Sequence, residues 1–557
     1  MPENILVAVA WPYANGPLHL GHIAGAYLPA DIFARYHRLK GNNVLMVSGS
    51  DEHGTPITLK AEQEGISPAE VADKYHREFL QCWGKLGISF DLFTNTDTKN
   101  HAAVAHDIFL KLLEKGYIYK DSMPQAYCPN CKRFLPDRYI EGTCPFCAYT
   151  GARGDQCDQC GRTLNPSDLS NVHCRICSGV PRFETTEHFF LKLSAFEEQL
   201  KSWVASKDYW RQNVQNFTLA FLEGGLKDRA ITRDIEWGVS VPQPGFENKR
   251  IYVWFEAVIG YLSASKEWAA SSGKADAWKA WWTGQNKAYY FIGKDNIPFH
   301  TIIWPAMLLG YGGLSLPYDV PANEFLTIEG KKLSTSRNWA VWLPDYLERY
   351  DPDPLRYYLS INMPETGDTD FSWYEFLRKN NDELVATYGN LVHRVLTFTN
   401  RNFEAAVPDP GELDEMSKGL LDKAKARMGE VDKLLYGCHF KESIKTAMSL
   451  AQDVNRYLDD MAPWKMLKQD RRQAGRAVYT AIAAISVLKT MLYPFLPFTS
   501  QKLHNYLGFE GDIRDAGWTV QFPGAGQKLP QPEALFVKLE SKIIDEEMAH
   551  LGGGGAA

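Results

Sequence analysis

The chain has 557 residues, of which 45% are hydrophobic and 23% are charged, and its formal net charge is -7. This composition is typical of a folded globular protein and excludes disorder, collagen and coiled coil, while the length suggests about three or four domains. Because the net charge is negative, any contact with a nucleic acid requires a local basic patch. No apolar run approaches the roughly 18 residues that span a bilayer, and the N-terminus lacks signal-peptide features, so we expect a cytoplasmic protein with no membrane partner.

The N-terminal part of the chain alternates between strand and helix patterns. Residues 5–10 are a short apolar run, followed by the turn-rich WPYANGP and by a helical pattern that starts with HLGH. A second buried strand, at 44–48, ends in the polar cluster GSDEHG, and helical patterns cover 67–86 and 101–116. Such alternation predicts a parallel α/β sheet, whose functional sites lie at the carboxyl ends of its strands.

An insertion divides this α/β domain. The alternation stops at a cysteine-rich stretch and resumes with strand patterns at 251–255 (IYVWF), 288–293 (AYYFIG) and 324–329 (EFLTIE), the last of which precedes the loop GKKLSTSRN. After about residue 373 the hydrophobic period becomes 3.6, which predicts a helix bundle. The predicted divisions are a first half at 1–116, an insertion at 117–236, a second half at 237–330, a loop and stem-contact region at 331–375, a bundle at 376–510 and a tail at 511–557.

Eight of the ten cysteines form four CxxC pairs, CPNC, CPFC, CDQC and CRIC. Without a secretion signal, such clustering indicates metal binding rather than disulfides. The four pairs suffice for two tetrahedral zinc sites, and three ways of combining them exist. Closed sites of four thiolates leave no open coordination position, so the zinc would hold the fold of the insertion rather than perform chemistry.

The HLGH segment places His19 and His22 one turn apart at the start of a helix, with Gly21 between them. Helix N-termini bind phosphates, and neutral imidazoles there can donate hydrogen bonds to a nucleotide triphosphate while glycine leaves room for adenine. Taken alone, an HxxH is more often a pair of surface histidines or half of a metal site.

The loop KKLSTSR supplies a second basic element. Lys331 and Lys332, followed by small hydroxyl side chains, can clamp a pyrophosphate leaving group, and a mobile loop suits that role. A lysine pair is more commonly a solvated turn. The presence of the histidine pair and the lysine loop in the two halves of one split domain favours the nucleotide interpretation.

With HLGH and KLSTS (332–336), the chain resembles the class I aminoacyl-tRNA synthetases, and among them the methionyl-tRNA synthetase family. The segments that carry this resemblance, in the family's order, are PYANGPLHLGH, DEHGTP, FLPDRYIEGTCPFC, VWFEAVIGYLSASKEW, FIGKDNIPFH, LRYYL and APW. It implies a Rossmann-like parallel-sheet catalytic domain split by a zinc-knuckle insertion and followed by an α-helical anticodon-binding bundle. The implied function is methionine–tRNA ligase: ATP, with Mg²⁺, activates L-methionine to methionyl-adenylate, and methionine passes to the terminal adenosine of tRNA(Met), including initiator tRNA.

The resemblance also implies the roles of individual residues. The catalytic residues are His19, His22 and Lys332, and the ATP-binding residues are His19, Gly21, His22, Gly293, Asp295, Lys332, Ser334, Thr335 and Ser336. The methionine-binding residues are Trp11, Tyr13, Asp51, Trp254, Ala257, Tyr261, Phe299 and His300. Asp51, just after a strand, is placed to pair with the substrate ammonium, and aromatic rings attract a thioether by about 0.3–1.5 kcal/mol per contact. Taken singly, each aromatic is better explained by core packing.

For the insertion, the resemblance assigns an inner zinc to Cys144, Cys147, Cys157 and Cys160, which leaves Cys128, Cys131, Cys174 and Cys177 for an outer one. For the bundle, it assigns anticodon recognition to Asn390, Arg394 and Trp464. Asn390 and Arg394 are one helical turn apart, and basic residues follow Trp464, a combination on which bases can stack. The alternative for Trp464 is a place in the bundle core.

Three residues depart from the family pattern. Thr335 replaces the second lysine of the signature loop, Trp11 stands where a smaller aliphatic residue is common, and Val258 stands where proline is common. We expect Lys331 or Arg337 to compensate in part for Thr335.

Two rival functions follow from the same pattern. In a synthetase for leucine, isoleucine or valine, an insertion of about 120 residues that is half zinc knuckle leaves little room for editing, and a cysteine enzyme would place zinc in its catalytic domain. A catalytically dead zinc-ribbon RNA-binding paralogue would be expected to lose HLGH or the lysine loop. Because no further module follows the bundle, we expect a monomer.

Overall fold

The structure, a computed structural model, describes residues 2–552 except 137, 138, 155, 156, 158, 161, 163 and 165. Its central sheet has five parallel strands in the order Ala322–Asn323, Lys287–Gly293, Asn4–Val9, Asn43–Ser50 and Leu92–Asn95. Asn4–Val9 is flanked on both sides and buried from Ile5 onward, which explains why it reads as a continuous apolar run. The predicted parallel sheet is confirmed.

Helices cover both faces of this sheet. The HLGH segment opens a continuous helical stretch, made of Leu20–His22, one wide turn at Ile23–Tyr27, and Leu28–Leu39. Pro68–Leu86 starts at a capping box between Ser67 and Glu70 and ends at Gly87, whose φ of 74° suits glycine. The other helices of the domain are Thr55–Glu64, Lys99–Glu114, Gly260–Ser271, Lys279–Trp282 and Trp304–Tyr311.

The strand predicted at 251–255 is wrong. A strand covers only Arg250–Ile251, and Val253–Glu256 is a helical turn that continues through Ala257–Ile259. A short apolar run cannot be assigned to strand or helix by periodicity alone, since either can be buried. The helical turn places Trp254 and Ala257 three residues apart on one side of the backbone.

The insertion leaves the central domain as a long antiparallel pair, Ile118–Cys128 with Arg182–Leu191, flanked by Arg133–Phe134 and Arg229–Ala230. A second small sheet contains Ala152–Arg153, Ile140–Thr143 and Ser170–Cys174. The knuckles have a small core of their own, which includes Ala126, Leu135 and Ile140. Helices Glu197–Ala205 and Gln212–Glu223 lead back to the central domain.

The signature loop belongs to a three-stranded sheet of Lys331–Lys332, Leu326–Ile328 and Thr369–Phe371. Helices Leu343–Arg349, Pro352–Ile361 and Trp373–Arg378 lead into the predicted bundle, which is confirmed. Its helices are Asn390–Asn402, Glu415–Tyr436, Phe440–Met461, Pro463–Met466, Arg471–Leu492 and Pro497–Tyr506.

In the described part of the chain, only Arg471–Leu492 has the length and apolar composition of a membrane span, and 89% of that apolar window is buried inside the protein. This helix is therefore a core element of the bundle. The segment after residue 510 returns to the body of the protein: Lys528 bridges to Ala406, and Lys542–His550 is the last helix of the described chain. Tyr350 donates a hydrogen bond of 2.7 Å to Glu547 of that last helix.

Candidate active site

His19 and His22 lie against each other at the start of the signature helix. Their rings are stacked with centroids 3.8 Å apart. The His19 backbone N–H donates to His22 Nδ1 at 3.2 Å, so the proton of a neutral His22 is on Nε2. Burial lowers the pKa of His19 to about 4, and burial together with His19 lowers the pKa of His22 well below its usual value. Both rings are therefore neutral at pH 7 and can donate without carrying charge.

The signature loop packs directly on this helix. A β-carbon at Gly21 would lie 2.6 Å from Leu333 Cδ1, so a larger residue at position 21 would displace the Leu333 side chain. His19 forms a β-bridge with Trp342, and the Leu20 N–H donates to the Val341 carbonyl at 3.2 Å. The two predicted signatures are thus brought together, and in this structure Leu333 fills the space over Gly21 that we expected for adenine.

The two lysines of the loop point to different neighbours. The Nζ of Lys331 lies 4.2 Å from the centre of the Trp339 ring, while the Nζ of exposed Lys332 lies 5.7 Å from that of Phe325. No ion pair involves Lys332 within the described residues, whereas Lys294 is paired with Glu324 at 2.7 Å and with Asp368 at 3.0 Å. Lys331 also forms no ion pair within the described residues, but its Nζ lies closer to an aromatic ring than that of Lys332 does.

The remaining predicted nucleotide residues lie around this loop and the adjacent strand end. Thr335 is exposed at the start of the short turn Thr335–Arg337, and Arg337 Nε donates to Ser334 Oγ at 3.1 Å. The side chain of Ser336 lies outside the described part. Gly293 ends a strand of the central sheet and Asp295 follows it on the surface, at the carboxyl edge where ligands of such sheets bind.

Aromatic side chains form a pocket beside this edge. Trp254 Nε1 donates to the Tyr13 hydroxyl at 2.8 Å, and the Trp254 ring meets Phe299 edge-on at 4.8 Å between centroids. Tyr261 donates to His300 Nε2 at 2.7 Å, while His300 Nδ1 donates to the Asn296 carbonyl at 2.8 Å. Burial lowers the pKa of His300 to about 4, so this ring is neutral and its tautomer is fixed by the two bonds.

Two glycines make room for the unusual Trp11. A β-carbon at Gly49 would lie 2.3 Å from the Trp11 ring, and one at Gly260 would lie 2.7 Å from it. Trp11 meets the Tyr261 ring edge-on with centroids 6.4 Å apart. The large side chain of Trp11 therefore fits because Gly49 and Gly260 carry no side chains. Val258 is buried on the helical turn that ends beside Gly260.

Asp51 follows the strand Asn43–Ser50 and is 3% exposed. Its backbone is held by the Asp51 N–H, which donates to the Pro12 carbonyl at 2.8 Å, and by the Ala14 N–H, which donates to the Asp51 carbonyl at 2.9 Å. Burial, with Glu256 nearby, raises the pKa of its carboxyl well above the usual value. Within the described residues no lysine or arginine pairs with it, so a cationic ligand would favour the ionised form of this carboxyl.

Sequence reasoning missed three buried polar residues behind Asp51. Glu256 Oε1 lies 2.8 Å from His53 Nδ1, and Glu256 Oε2 lies 3.5 Å from His101 Nε2. The one available signal was an acidic residue inside the apolar segment VWFEAVIG, which an amphipathic pattern does not explain.

The cysteines come together in the combination that the resemblance implied. Cys128, Cys131, Cys174 and Cys177 form one cluster and Cys144, Cys147, Cys157 and Cys160 the other, with sulfur atoms within 4.8 Å of one another in each. The closest sulfur pairs are 3.4–3.9 Å apart. Four thiolates at about 2.3 Å from a tetrahedral zinc are about 3.8 Å from one another, so both clusters fit the ion.

The three predicted anticodon residues lie on one side of the bundle. The Arg394 guanidinium is 4.8 Å from the centre of the Trp464 ring and donates to Asn455 at 3.0 Å, and Asn390 is exposed one turn away. Trp464 is half-buried, and Phe398 packs edge-on against it at 5.4 Å. The Trp464 ring therefore packs against the bundle but is only partly buried.

Comparison with known proteins identifies the family of nearly the whole chain. A family described as "tRNA synthetases class I (M)" matches residues 5–396, and one described as "Anticodon binding domain of methionyl tRNA ligase" matches residues 407–555. The methionine–tRNA ligase of Dehalococcoides mccartyi (strain 195) is 63% identical over 99% of this chain and 100% of its own, and that of Thermomicrobium roseum is 53% identical over 99% of both.

A solved structure has the same fold. The Mycobacterium tuberculosis methionyl-tRNA synthetase, in complex with methionyl-adenylate, superposes with a TM-score of 0.81 at 24% identity, over 96% of this chain and 100% of that one. The predicted fold class, a split parallel-sheet domain followed by a helical anticodon-binding domain, is confirmed. The chain therefore belongs to the methionyl-tRNA synthetase family of class I aminoacyl-tRNA synthetases, the enzymes that ligate methionine to tRNA.

Proposed function

We propose that this chain activates L-methionine with ATP at the pocket beside Asp51 and transfers it to the terminal adenosine of tRNA(Met), initiator tRNA included. The observation that carries the proposal is the buried Asp51 carboxylate, which has no lysine or arginine partner in the described chain and lies at the sheet edge that also bears the aromatic pocket. A zwitterionic amino acid with an apolar, polarisable side chain matches that combination.

In the proposed complex, Asp51 pairs with the methionine ammonium. The thioether lies among the rings of Tyr13, Trp254, Tyr261 and Phe299, with neutral His300 as a fixed polar neighbour and Ala257 and Trp11 as the remaining walls. The bond from Trp254 to Tyr13 supports this placement, because it locks two of these rings in one orientation.

In the first chemical step, a methionine carboxylate oxygen attacks the α-phosphorus of ATP. The new P–O bond gives methionyl-adenylate, and the bond to the β-phosphate oxygen breaks to release pyrophosphate. His19 and His22 are proposed as neutral donors to the phosphates, and Lys332, with Ser334, Thr335 and Ser336 beside it, as the contact to the leaving group. Gly21, Gly293 and Asp295 would border the nucleotide, and Mg²⁺ would enter with ATP and neutralise phosphate charge.

In the second step, a ribose hydroxyl of the terminal adenosine, the 2′ hydroxyl by class I resemblance, attacks the carbonyl carbon of the adenylate. The ester forms, the hydroxyl proton is released, and AMP leaves with the electron pair of the broken C–O bond. No covalent intermediate with the chain is required, so the work of the site is orientation and charge stabilisation.

The other parts of the chain support tRNA binding in this proposal. Zinc in the two cysteine clusters would hold the knuckles in shape, and Asn390, Arg394 and Trp464 would contact the anticodon. The enzyme would act in the cytoplasm as a monomer, without a membrane partner.

Amino-acid-dependent pyrophosphate exchange, measured with each of the twenty amino acids, tests the activation step. We expect exchange with methionine alone and a large loss with Asp51→Asn. Exchange with leucine, isoleucine, valine or cysteine instead would identify the rival synthetases, and no exchange with any amino acid would favour the RNA-binding paralogue.

A further inference from the structure

Glu256 is a fully buried carboxylate to which none of the roles above is assigned. It lies on the helical turn Val253–Glu256, two residues after Trp254 and one before Ala257. Its Oε1 is 2.8 Å from Nδ1 of His53, a residue 203 positions earlier in the chain. The contact therefore joins the first half of the split catalytic domain to the second half, at the point where each half contributes to the aromatic pocket.

Both histidines around Glu256 are themselves held in place. Ser263 Oγ lies 3.0 Å from the Gly260 carbonyl oxygen and 2.9 Å from His101 Nδ1, a hydrogen-bond contact that orients the imidazole ring. His101 Nε2 is thereby directed towards Glu256 Oε2, 3.5 Å away. On the other side, the ring of Trp237 meets His53 edge-on at 5.5 Å, and its Nε1 donates to the Glu52 carbonyl at 2.6 Å.

Within this cluster, the pKa of Glu256 and the pKa of His53 are shifted in opposite directions. Burial alone would raise the pKa of Glu256, but His53 and His101 lower it to about 2. Burial alone would lower the pKa of His53, but Glu256 raises it to about 10, with Asp97 3.5 Å from its Nε2. Glu256 and His53 thus form a buried ion pair at neutral pH. Asp51, whose Oδ1 accepts from the His53 backbone N–H at 3.4 Å, lies directly beside this ion pair.

We propose that Glu256 is a positioning residue for methionine. Its ion pair with the His53 side chain fixes the turn from Asp51 to His53, so that the Asp51 carboxylate faces the pocket formed with Trp254. This inference rests on the proposed pairing of Asp51 with the substrate ammonium. The ion pair spans the same two segments that carry Asp51 and Trp254, so its loss separates the ammonium contact from the thioether contacts. Specificity for an amino acid as long as methionine requires both at a fixed distance.

A fully buried ion pair is a poor device for stability alone. Removing two ionisable side chains from water costs more than their mutual attraction returns in many proteins, and apolar residues of similar volume often pack as well. The position of the pair, between two halves of one binding site, accounts for its presence better than fold stability does.

The test is Glu256→Gln, which keeps the volume and an acceptor oxygen but removes the charge. In pyrophosphate exchange we expect the KM for methionine to rise at least about tenfold, while the KM for ATP stays within about twofold and kcat within about threefold. The matched control is Glu267→Gln: this carboxylate is on the following helix, accepts from Thr94 at 3.0 Å, and does not contact Asp51 or His53. It should leave both KM values unchanged.

A double-mutant cycle separates positioning from a general structural defect. If Glu256 acts through Asp51, the variant that combines Asp51→Asn with Glu256→Gln has the same KM for methionine as Asp51→Asn alone, within about twofold. Methioninol, which keeps the ammonium and lacks the carboxylate, should lose affinity in parallel with methionine. Additive effects in the cycle, equal rises in both KM values, or an unchanged KM for methionine would each overturn the inference.

Two further outcomes distinguish a failure of the proposed substrate contact from a failure of the variant to fold. If Asp51→Asn itself leaves the KM for methionine unchanged, the proposed substrate contact is wrong, and the role of Glu256 falls with it. If Glu256→Gln does not fold, His53→Gln removes the other partner of the same ion pair and carries the same expectations, including the cycle with Asp51→Asn.

Discussion

The carboxylate of Asp31 and the guanidinium of Arg356 form an ion pair in which both side chains are completely buried, with Oδ2 and Nη2 2.6 Å apart. Asp31 is on the helix that the HLGH segment opens. Arg356 also donates to the carbonyls of Pro494 at 3.0 Å and Phe495 at 2.7 Å, in the turn between two bundle helices. The nucleotide-signature helix and the anticodon-binding bundle therefore meet at one guanidinium group.

Asp31→Asn should destabilise the whole chain. The substitution leaves Arg356 buried without its counter-charge, and breaking one partner of a buried pair costs about 3–5 kcal/mol. Urea unfolding measures this as a lower free energy of unfolding. The control is Asp73→Asn, because Asp73 pairs with Arg77 on an exposed helix surface, where a salt bridge contributes under about 1 kcal/mol. Equal stability of the two variants would contradict a structural role for the buried pair.

The same pair predicts an acid dependence of stability. Burial would raise the pKa of Asp31, but Arg35 and Arg356 lower it to about 2. Since the unfolded value is near 4, the stabilisation is fully present above about pH 4 and is lost as pH falls towards about 2. In Asp31→Asn this part of the acid-induced decrease in the free energy of unfolding should be missing.

Purified protein should contain close to two zinc ions per chain, because the two clusters of four thiolates both have sulfur spacings that suit the ion. Metal analysis checks the number. Cys144→Ser should remove about one zinc and impair aminoacylation more than pyrophosphate exchange, since it alters the insertion and not the pocket. Cys82→Ser, at a lone buried cysteine outside both clusters, should keep the full metal content. Less than half an equivalent of zinc in the unmodified protein would refute the metal interpretation.

Trp464→Ala should separate the two half-reactions. The side chain offers a stacking surface worth about 1–3 kcal/mol per base, so aminoacylation should fall about tenfold to a hundredfold. Pyrophosphate exchange should stay near normal, because the bundle reads tRNA and not ATP. Arg394→Ala removes the guanidinium 4.8 Å from the same ring and should act in the same direction. A parallel loss of exchange would show that Trp464 supports the fold instead.

Methionine binding should weaken as the pH is lowered. Burial, with Glu256 nearby, raises the pKa of Asp51, so an increasing fraction of this carboxyl is protonated and unable to pair with an ammonium as pH falls. The KM for methionine should therefore rise as the pH falls, and the rise should begin at a higher pH than that at which an ordinary aspartate titrates. In Asp51→Asn the KM should be high and independent of pH. A flat profile in the unmodified protein would exclude Asp51 as the ammonium partner.

The sequence was most informative where residues close in the chain act together. HLGH, the lysine loop and the CxxC pairs are local patterns. The structure places HLGH beside the lysine loop and gathers the CxxC pairs into two clusters of four cysteines. The Glu256–His53 pair and the Asp31–Arg356 pair were missed because their partners are 203 and 325 positions apart, and single charged residues in apolar helices carry no spacing signal. The fit of Trp11 was equally invisible, since it depends on the missing side chains of Gly49 and Gly260.

The altered signature loop gives the sharpest chemical prediction. A second lysine would bring full charge to the leaving phosphates, whereas Thr335 brings a hydroxyl, so Lys332 should carry more of the stabilisation. Lys332→Ala should slow adenylate formation at least about a hundredfold in single-turnover measurements, with methionine affinity nearly unchanged. Lys331→Ala is the matched control: consecutive strand residues point to opposite faces, and Lys331 lies over Trp339, so its loss should have a much smaller effect.

Thr335→Lys tests the same argument from the opposite direction. Thr335 is exposed, so a longer side chain meets little steric resistance, and the added charge should maintain or raise the rate of adenylate formation. Introduced into the Lys332→Ala background, it should restore part of the lost rate, because both side chains would serve the same leaving group. If Lys332→Ala formed adenylate as fast as the unmodified enzyme, the loop would not contact the phosphates, and the role proposed for KLSTS would be wrong.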